Sequence, residues 1–231
     1  MKLRLAAIAA LGALPLAAHA DVVEMRLSGT GLGRNVRLGL GDESVIAFAG
    51  QLRHEITGAT GRGEGLLGTQ VTFCTDVYQQ VSELSLAYEL GALTDVPNSR
   101  PMSPHVALAV EELYTLAAGR QLDPAGSADF ATAFQLALWE VVSDFDPAAG
   151  RASLSLDNGW FSATKANRTA LDGGITSHVD ALLGAVGSGR RSVELLTLRS
   201  PTAQDQIAVI PAAPALAAFA APLALASRRR R

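Results

Sequence analysis

The chain has a single cysteine, Cys74, in 231 residues. One cysteine excludes an internal disulfide framework. Outside a reducing compartment it leaves three fates for the thiol: buried and inert, paired between chains, or consumed by other chemistry. Histidine is also scarce: His19, His54, His105 and His178 lie far apart and none stands at ligand spacing from another or from Cys74, so no metal site and no cofactor are expected. A Cys-His protease would need His105 or His178 at Cys74, yet Cys74 sits in a strand-like stretch rather than at a helix start. No Gly-x-Ser-x-Gly elbow occurs. The glycines of Gly61 to Gly65 are not followed by Gly-Lys-Ser/Thr, so they read as a turn and not as a phosphate cradle. Asp144 and Asp146 are adjacent carboxylates, but adjacency in sequence is not the geometry of glycoside hydrolysis. Classical enzyme catalysis is therefore not expected.

The ends carry what basic runs there are. Lys2 and Arg4 precede an uncharged apolar run, Leu5 to Leu16, and Ala18-His19-Ala20 is a small-x-small site before Asp21. This is the layout of a secretory signal peptide over residues 1–20, with cleavage by signal peptidase after Ala20. At the other end Pro211 and Pro214 lead into an Ala/Leu-rich run, Ala215 to Ala226, and then Arg228, Arg229, Arg230 and Arg231. The run approaches the length of a membrane span, and the arginines would keep their end in the cytoplasm. Six of the 19 Lys and Arg lie in these end segments and none of the 22 Asp and Glu do, so the span between them is near −9. An acidic domain without a basic stretch excludes nucleic acid as a partner.

The three-segment tail, residues 210–231, resembles the PEP-CTERM sorting signal of Gram-negative bacteria, with alanine where that signal usually has glutamate after its first proline. The resemblance implies export, anchoring in the inner membrane through the tail, and cleavage near Pro211 by an exosortase. The processed protein would then reside at the cell surface or in an extracellular, exopolysaccharide-rich matrix.

Between the ends, hydrophobic periodicity predicts one α+β domain over residues 21–199, followed by a linker over 200–209. The N-terminal portion reads as an antiparallel sheet or barrel. Val22, Met25 and Leu27, then Val36, Leu38 and Leu40, come close to alternation, and Gly41-Asp42 is a turn signal. Val45 to Ala49 and Leu52 to Ile56 read as two strands separated by Gly50, and a further strand spans Val71 to Thr75. A helical portion follows. Ser103 and Pro104 open one helix that Gly119 stops, and a second runs from about Ala128 to Ser143, capped by Ser127 or Asp129. The second helix is apolar nearly all round, so Gln135 is a polar group in an apolar setting that needs partners. Ser162 to Leu171 and Thr176 to Val186 read as helices, and Ser192 to Leu198 as a final strand.

Phe73-Cys74-Thr75-Asp76 resembles the cysteine motif of bacterial thioester-domain surface proteins, and Phe134-Gln135-Leu136-Ala137-Leu138-Trp139 resembles their Thr-Gln-x-Ala-Ile-Trp (TQXA) motif. The resemblance implies that the Cys74 thiol and the Gln135 carboxamide meet and form an internal thioester with loss of ammonia. Such a bond reacts with an amine on a target surface and holds it covalently, the behaviour of an adhesin or cross-linker. Asp76, Tyr78 and Trp139 are supporting candidates: Asp76 and Tyr78 to orient the pair or move its protons, or as structural residues, and Trp139 as core. Threonine and isoleucine of the motif are replaced by Phe134 and Leu138. Gln204-Asp205-Gln206 before the tail fits a recurrent class of PEP-CTERM proteins. The other reading is a non-covalent structural or carbohydrate-binding matrix protein of the same fold, with Cys74 a small buried hydrophobe and no thioester.

Overall fold

The computed structural model describes residues 21–210. The signal segment with Ala20, and the tail with Pro211, Pro214 and Arg228 to Arg231, lie outside the described residues. Among the described residues no helix is long and apolar enough to cross a membrane.

Seven antiparallel strands form one sheet: β1 (Val22–Leu40), β2 (Glu43–Ala59), β3 (Gly68–Cys74), β4 (Leu86–Gly91), β5 (Phe161–Lys165), β6 (Leu195–Arg199) and β7 (Gln206–Val209). Their order is β2-β3-β7-β6-β4-β1-β5, and β1 also pairs with β2. The pairings close a ring, β1-β2-β3-β7-β6-β4 and back to β1. Closure removes edges within the ring, while β5 lies outside it as an edge strand on β1. β1 serves two neighbours: Val22 to Met25 pair with β4, and Val36 to Leu40 pair with β5. Register shifts after Glu24, Leu27 and Thr30 bend it between the two tasks.

The alternation read from the sequence is the alternation of burial. Val23, Met25, Val36, Leu38 and Leu40 are inside, with Glu24, Arg26 and Arg34 outside. Gly50 does not separate a pair of strands, as its position in the sequence suggests; it lies within β2 at φ 156°. There a Cβ would sit 2.3 Å from the Leu32 carbonyl oxygen, so glycine lets β1 and β2 approach at the bend.

Three α-helices cover one side: α1 (Pro104–Ala117), α2 (Ala128–Asp144) and α3 (Gly173–Leu183). Ser103 accepts the Val106 N–H and Ser127 accepts the Phe130 N–H, so both expected caps are in place. Every residue of α2 from Phe130 to Val141 is buried, because the helix is packed among β1, β2, β3, β5, α1 and α3. Its core cluster joins helices to sheet, and a second cluster, including Met25, Ile56, Tyr88 and Leu198, lies among the ring's strands.

Two stretches differ from the sequence reading. Ser162 to Leu171 is not a helix: it is strand β5 and a turn, with β5 paired to the second half of β1. Residues 200–209 are not a linker. They form a loop and then β7, which lies between β3 and β6, and Ala203 to Ala208 are buried. The domain therefore runs to the last described residues.

Candidate functional site

The site is built where β3 outruns β2. Pairing of β2 with β3 ends at Leu52 and Thr72, two residues before Cys74. On its other side β3 pairs with β7 through Phe73–Ile207 and Cys74–Gln206. The Thr75 N–H bonds the Asp205 carbonyl at 3.1 Å. Alternation then turns the main-chain groups of Cys74 away from β7, toward the side that β2 has vacated. A buried N–H and C=O would be left without partners there.

Gln135 fills that place. Its Oε1 accepts the Cys74 N–H at 3.1 Å and its Nε2 donates to the Cys74 carbonyl at 2.9 Å. The helix-borne carboxamide acts as one peptide group of an absent strand. The residues before each partner also meet: Phe73 and Phe134 pack edge to face with ring centroids 4.7 Å apart, and Tyr114 packs on Phe134 at 4.8 Å. The two motifs are thus adjacent, and Cys74 and Gln135 are 4% and 0% exposed.

The thiol, however, is directed elsewhere. Cys74 Sγ donates to Gln204 Oε1 at 2.9 Å. The motif resemblance makes Gln135 the acceptor of the thiol, but both polar ends of the Gln135 side chain are held by the Cys74 main chain. Gln204 is itself fixed: its Nε2 donates to the Asp76 carbonyl at 2.5 Å. Gln206, opposite Cys74 across the ladder, donates from Nε2 to Gln204 Oε1 at 3.4 Å and to Cys74 Sγ at 3.8 Å. Its own Oε1 accepts the Thr72 hydroxyl at 2.9 Å. Thr72 in turn faces His54 Nδ1 at 3.0 Å. With the hydroxyl hydrogen given to Gln206, His54 Nδ1 carries the proton. Flipping the Gln206 amide would set its oxygen against both oxygens of Gln204, so this network fixes its orientation.

The electrostatics are those of a dry site. Burial pushes the Cys74 thiol up to about 12, against the lowering effect of the Gln206 N–H. The resting group is a thiol, not the thiolate that nucleophilic sulfur chemistry ordinarily uses. Burial lowers His54 to about 4, so it is neutral. Asp205 holds the loop that carries both glutamines: its carboxylate accepts the Asn98 N–H at 2.6 Å and the Ser200 N–H at 2.9 Å. Burial raises its pKa above the ordinary carboxylate value.

The supporting candidates fall in different places. Asp76 is buried, and its carboxylate accepts the Tyr78 N–H at 2.8 Å and the Ser99 hydroxyl at 2.9 Å. It shapes the turn after Cys74 and presents the carbonyl that anchors Gln204. Tyr78 is 57% exposed, its ring lies 6.0 Å from that of Trp160, and it lines the same cavity as Cys74 and Gln204. Trp139 is core, tilted against Phe161, and it lines a cavity together with Cys74 and Gln204. Glu140 is fully buried; Oε1 accepts the Ser155 N–H at 2.6 Å and Oε2 has no partner. Burial, with Asp144 nearby, raises Glu140 to about 7.

Sequence reasoning missed Gln204 and Gln206 as site residues. The signal was their spacing of two, which places both side chains on one face of an extended segment. Among the described residues no group of acidic, histidine or cysteine side chains is arranged to hold a metal ion. No family model matches the chain, and neither a curated protein nor a solved structure matches it.

Proposed function

We propose that this is an exported, exosortase-sorted surface or matrix protein whose domain forms an internal thioester between Cys74 and Gln204, and that the thioester attaches it covalently to amines. One observation carries the reading: the only thiol lies 2.9 Å from a carboxamide oxygen inside a buried, hydrogen-bonded frame. Holding the thiol and the carboxamide side by side in a fixed frame lowers the entropic part of the barrier to their reaction.

The steps balance without an outside reagent. Cys74 Sγ bonds to Gln204 Cδ as its proton passes to Oε1, toward which the S–H already points. The neutral tetrahedral carbon then collapses. The proton moves to the amide nitrogen, the C–N bond breaks, and ammonia leaves. Gln206 Nε2 faces the same oxygen and stabilises charge that develops on it. Gln135 serves by holding the Cys74 main chain, and so the direction of the thiol. Burial of Cys74 and Gln204, which are 4% and 7% exposed, limits hydrolysis of the thioester once formed. An amine later attacks Cδ, the C–S bond breaks, sulfur takes the amine's proton, and an amide joins Gln204 to the target.

Intact-mass measurement tests this. The purified protein is expected to weigh one ammonia less than its sequence, and Cys74→Ala and Gln204→Ala each restore the full mass. Methylamine adds to the wild type only, and peptide mapping finds the methylamide on Gln204 and not on Gln135. A full mass with one titratable thiol on unfolding would overturn the reading and leave a non-covalent matrix or carbohydrate-binding protein of the same fold.

A further inference from the structure

A second cavity lies between the segment Thr75 to Tyr78, the loop that carries Arg100, the C-terminal end of α2 and Trp160. It holds about 310 Å³, within the size range of small-molecule sites. Neither Cys74 nor Gln204 is among the residues that line it. We propose that this cleft binds an acidic pyranose, a hexuronate residue of a polysaccharide, with the sugar ring laid across Trp160 and Tyr78 and its carboxylate on Arg100. The inference goes beyond the thioester reading and stands whether or not that bond forms.

Two aromatic side chains are left in water there on a main chain that is tied down. Tyr78 and Trp160 are 57% and 37% exposed. The Tyr78 N–H is held by the Asp76 carboxylate at 2.8 Å. The Trp160 carbonyl accepts the Gly41 N–H at 2.7 Å, and the N–H that follows it, of Phe161, is held by Asp144 Oδ2 at 2.9 Å. A ligand that covers these rings finds their backbone already ordered, which lowers the cost of binding. The ring centroids are 6.0 Å apart. A ring sliding between them would need about 7 Å, two contacts of roughly 3.5 Å. A ligand therefore lies across the pair. The rings are inclined to one another by 53°. A flat aromatic ligand stacks on one of two inclined planes, whereas a puckered pyranose, with C–H groups on its faces and rim, touches both.

The charged groups set the sign of the ligand. Asp76 and Arg100 line the cleft. Asp76 is buried and spends both oxygens inside the fold, on the Tyr78 N–H and the Ser99 hydroxyl. Arg100 is exposed and reaches only the Ser143 carbonyl, at 3.5 Å. Among the described residues it pairs with no carboxylate. Its other N–H groups form the planar fork that takes a carboxylate through two parallel bonds. The hydroxyls of Ser99 and Ser143, also in the lining, can accept from the hydroxyls of a sugar. A simple anion or an acidic peptide would use Arg100 and leave both rings bare; a neutral sugar would use the rings and leave Arg100 unpaired.

The chain has two tryptophans and Trp139 is buried, so acrylamide quenching of the fluorescence reports Trp160. The purified protein is titrated with tetragalacturonate, with maltotetraose as the neutral oligosaccharide and with tetraglutamate as the acidic peptide. Tetragalacturonate is expected to protect Trp160 saturably, maltotetraose to bind at least about tenfold more weakly, and tetraglutamate to give no protection. Arg100→Gln is expected to weaken tetragalacturonate about tenfold, the scale of one charge-assisted contact, and to leave maltotetraose unchanged. Arg100→Lys should recover only part of the loss, because a lysine lacks the fork. Trp160→Ala, followed by titration calorimetry, should abolish binding with little change in the urea midpoint, since main-chain bonds hold its segment. Equal affinity for the acidic and neutral oligosaccharides would overturn the assignment to an acidic sugar. Protection by tetraglutamate equal to that by tetragalacturonate would give the cleft to acidic peptides instead. No protection by millimolar tetragalacturonate, or undiminished binding in Trp160→Ala, would overturn the site itself. None of these outcomes depends on the mass of the untreated protein, so the failure of either proposal is distinguishable from that of the other.

Discussion

Three glutamines surround one cysteine, and each does a different task because each meets a different group of it. Gln135 meets the main chain, Gln204 the thiol proton, and Gln206 both the sulfur and the Gln204 oxygen. Substitution should separate them. Gln135→Ala leaves a buried N–H and C=O unpaired beside Cys74, a loss of about 2–5 kcal/mol, measured as a shift of the urea midpoint at unchanged slope. Gln206→Leu retains the fold's apolar volume but removes the donor facing Gln204 Oε1. Thioester formation and methylamine addition should both slow by about 100- to 1,000-fold, since both pass through the same tetrahedral carbon. Thr72→Val should slow both less, and Thr72→Ser should restore them, because the hydroxyl acts only by fixing the Gln206 amide. Rates unchanged in Gln206→Leu would remove it from the chemistry. In the sequence, the cysteine and Gln135 are legible as a pair through their motifs. Which atoms they use is not, since that depends on where β2 stops along β3, a matter of register that no local pattern encodes.

At the scale of elements, β7 decides most. It is four residues long, yet it joins β3 to β6 and brings Gln206 opposite Cys74. A chain ending at Arg199 should therefore lose the ring, not merely a tail. Its near-UV circular dichroism should collapse and its unfolding lose cooperativity, whereas a chain ending at Ile210 should melt as the longer one does. A cooperative fold in the chain ending at Arg199 would show β7 to be dispensable. The same element is the one least visible in the sequence. Four residues are too few for periodicity to mark a strand, and the loop that leads into it, Thr202 to Asp205, is polar apart from Ala203 and reads as solvated; here Gln204, Asp205 and Gln206 are buried because the fold supplies partners for their side chains. The helices α1 and α2 are plain for the opposite reason. Their serine caps and apolar periodicity are local, and both capping bonds are present. Ser162 to Lys165 reads as the start of a helix because its residues tolerate one, but pairing of Phe161–Lys165 with Val36 to Leu40 of β1 overrides that weak preference.

For the molecule as a whole, His54 and Glu140 are two buried groups whose large, opposed titrations dominate how stability follows pH between about 4 and 7. His54 falls from 6.5 to about 4 on folding because burial disfavours its charged form. Between those values the unfolded chain binds a proton that the folded one refuses, so stability falls as pH drops through the window. Glu140 rises from 4.5 to about 7, again chiefly by burial. Between those values the folded chain keeps a proton that the unfolded one has lost, so stability falls as pH rises through that window. The windows overlap between roughly pH 4.5 and 6.5, where the two slopes oppose and the wild-type curve should be flat. Above the overlap only Glu140 still acts, and stability should decline toward neutrality. Glu140→Gln keeps an oxygen for the Ser155 N–H and removes the titration. Its curve should rise from about pH 4 to 6.5 and then level, with the His54 slope exposed. Relative to wild type, the variant should gain on the order of 3 kcal/mol between pH 4 and pH 8, read from urea unfolding at each pH. His54→Gln should give the mirror result, a curve level at low pH that falls toward neutrality. A gap between Glu140→Gln and wild type that does not change with pH would mean that Glu140 ionises normally inside the fold, and that its unpartnered oxygen is solvated after all.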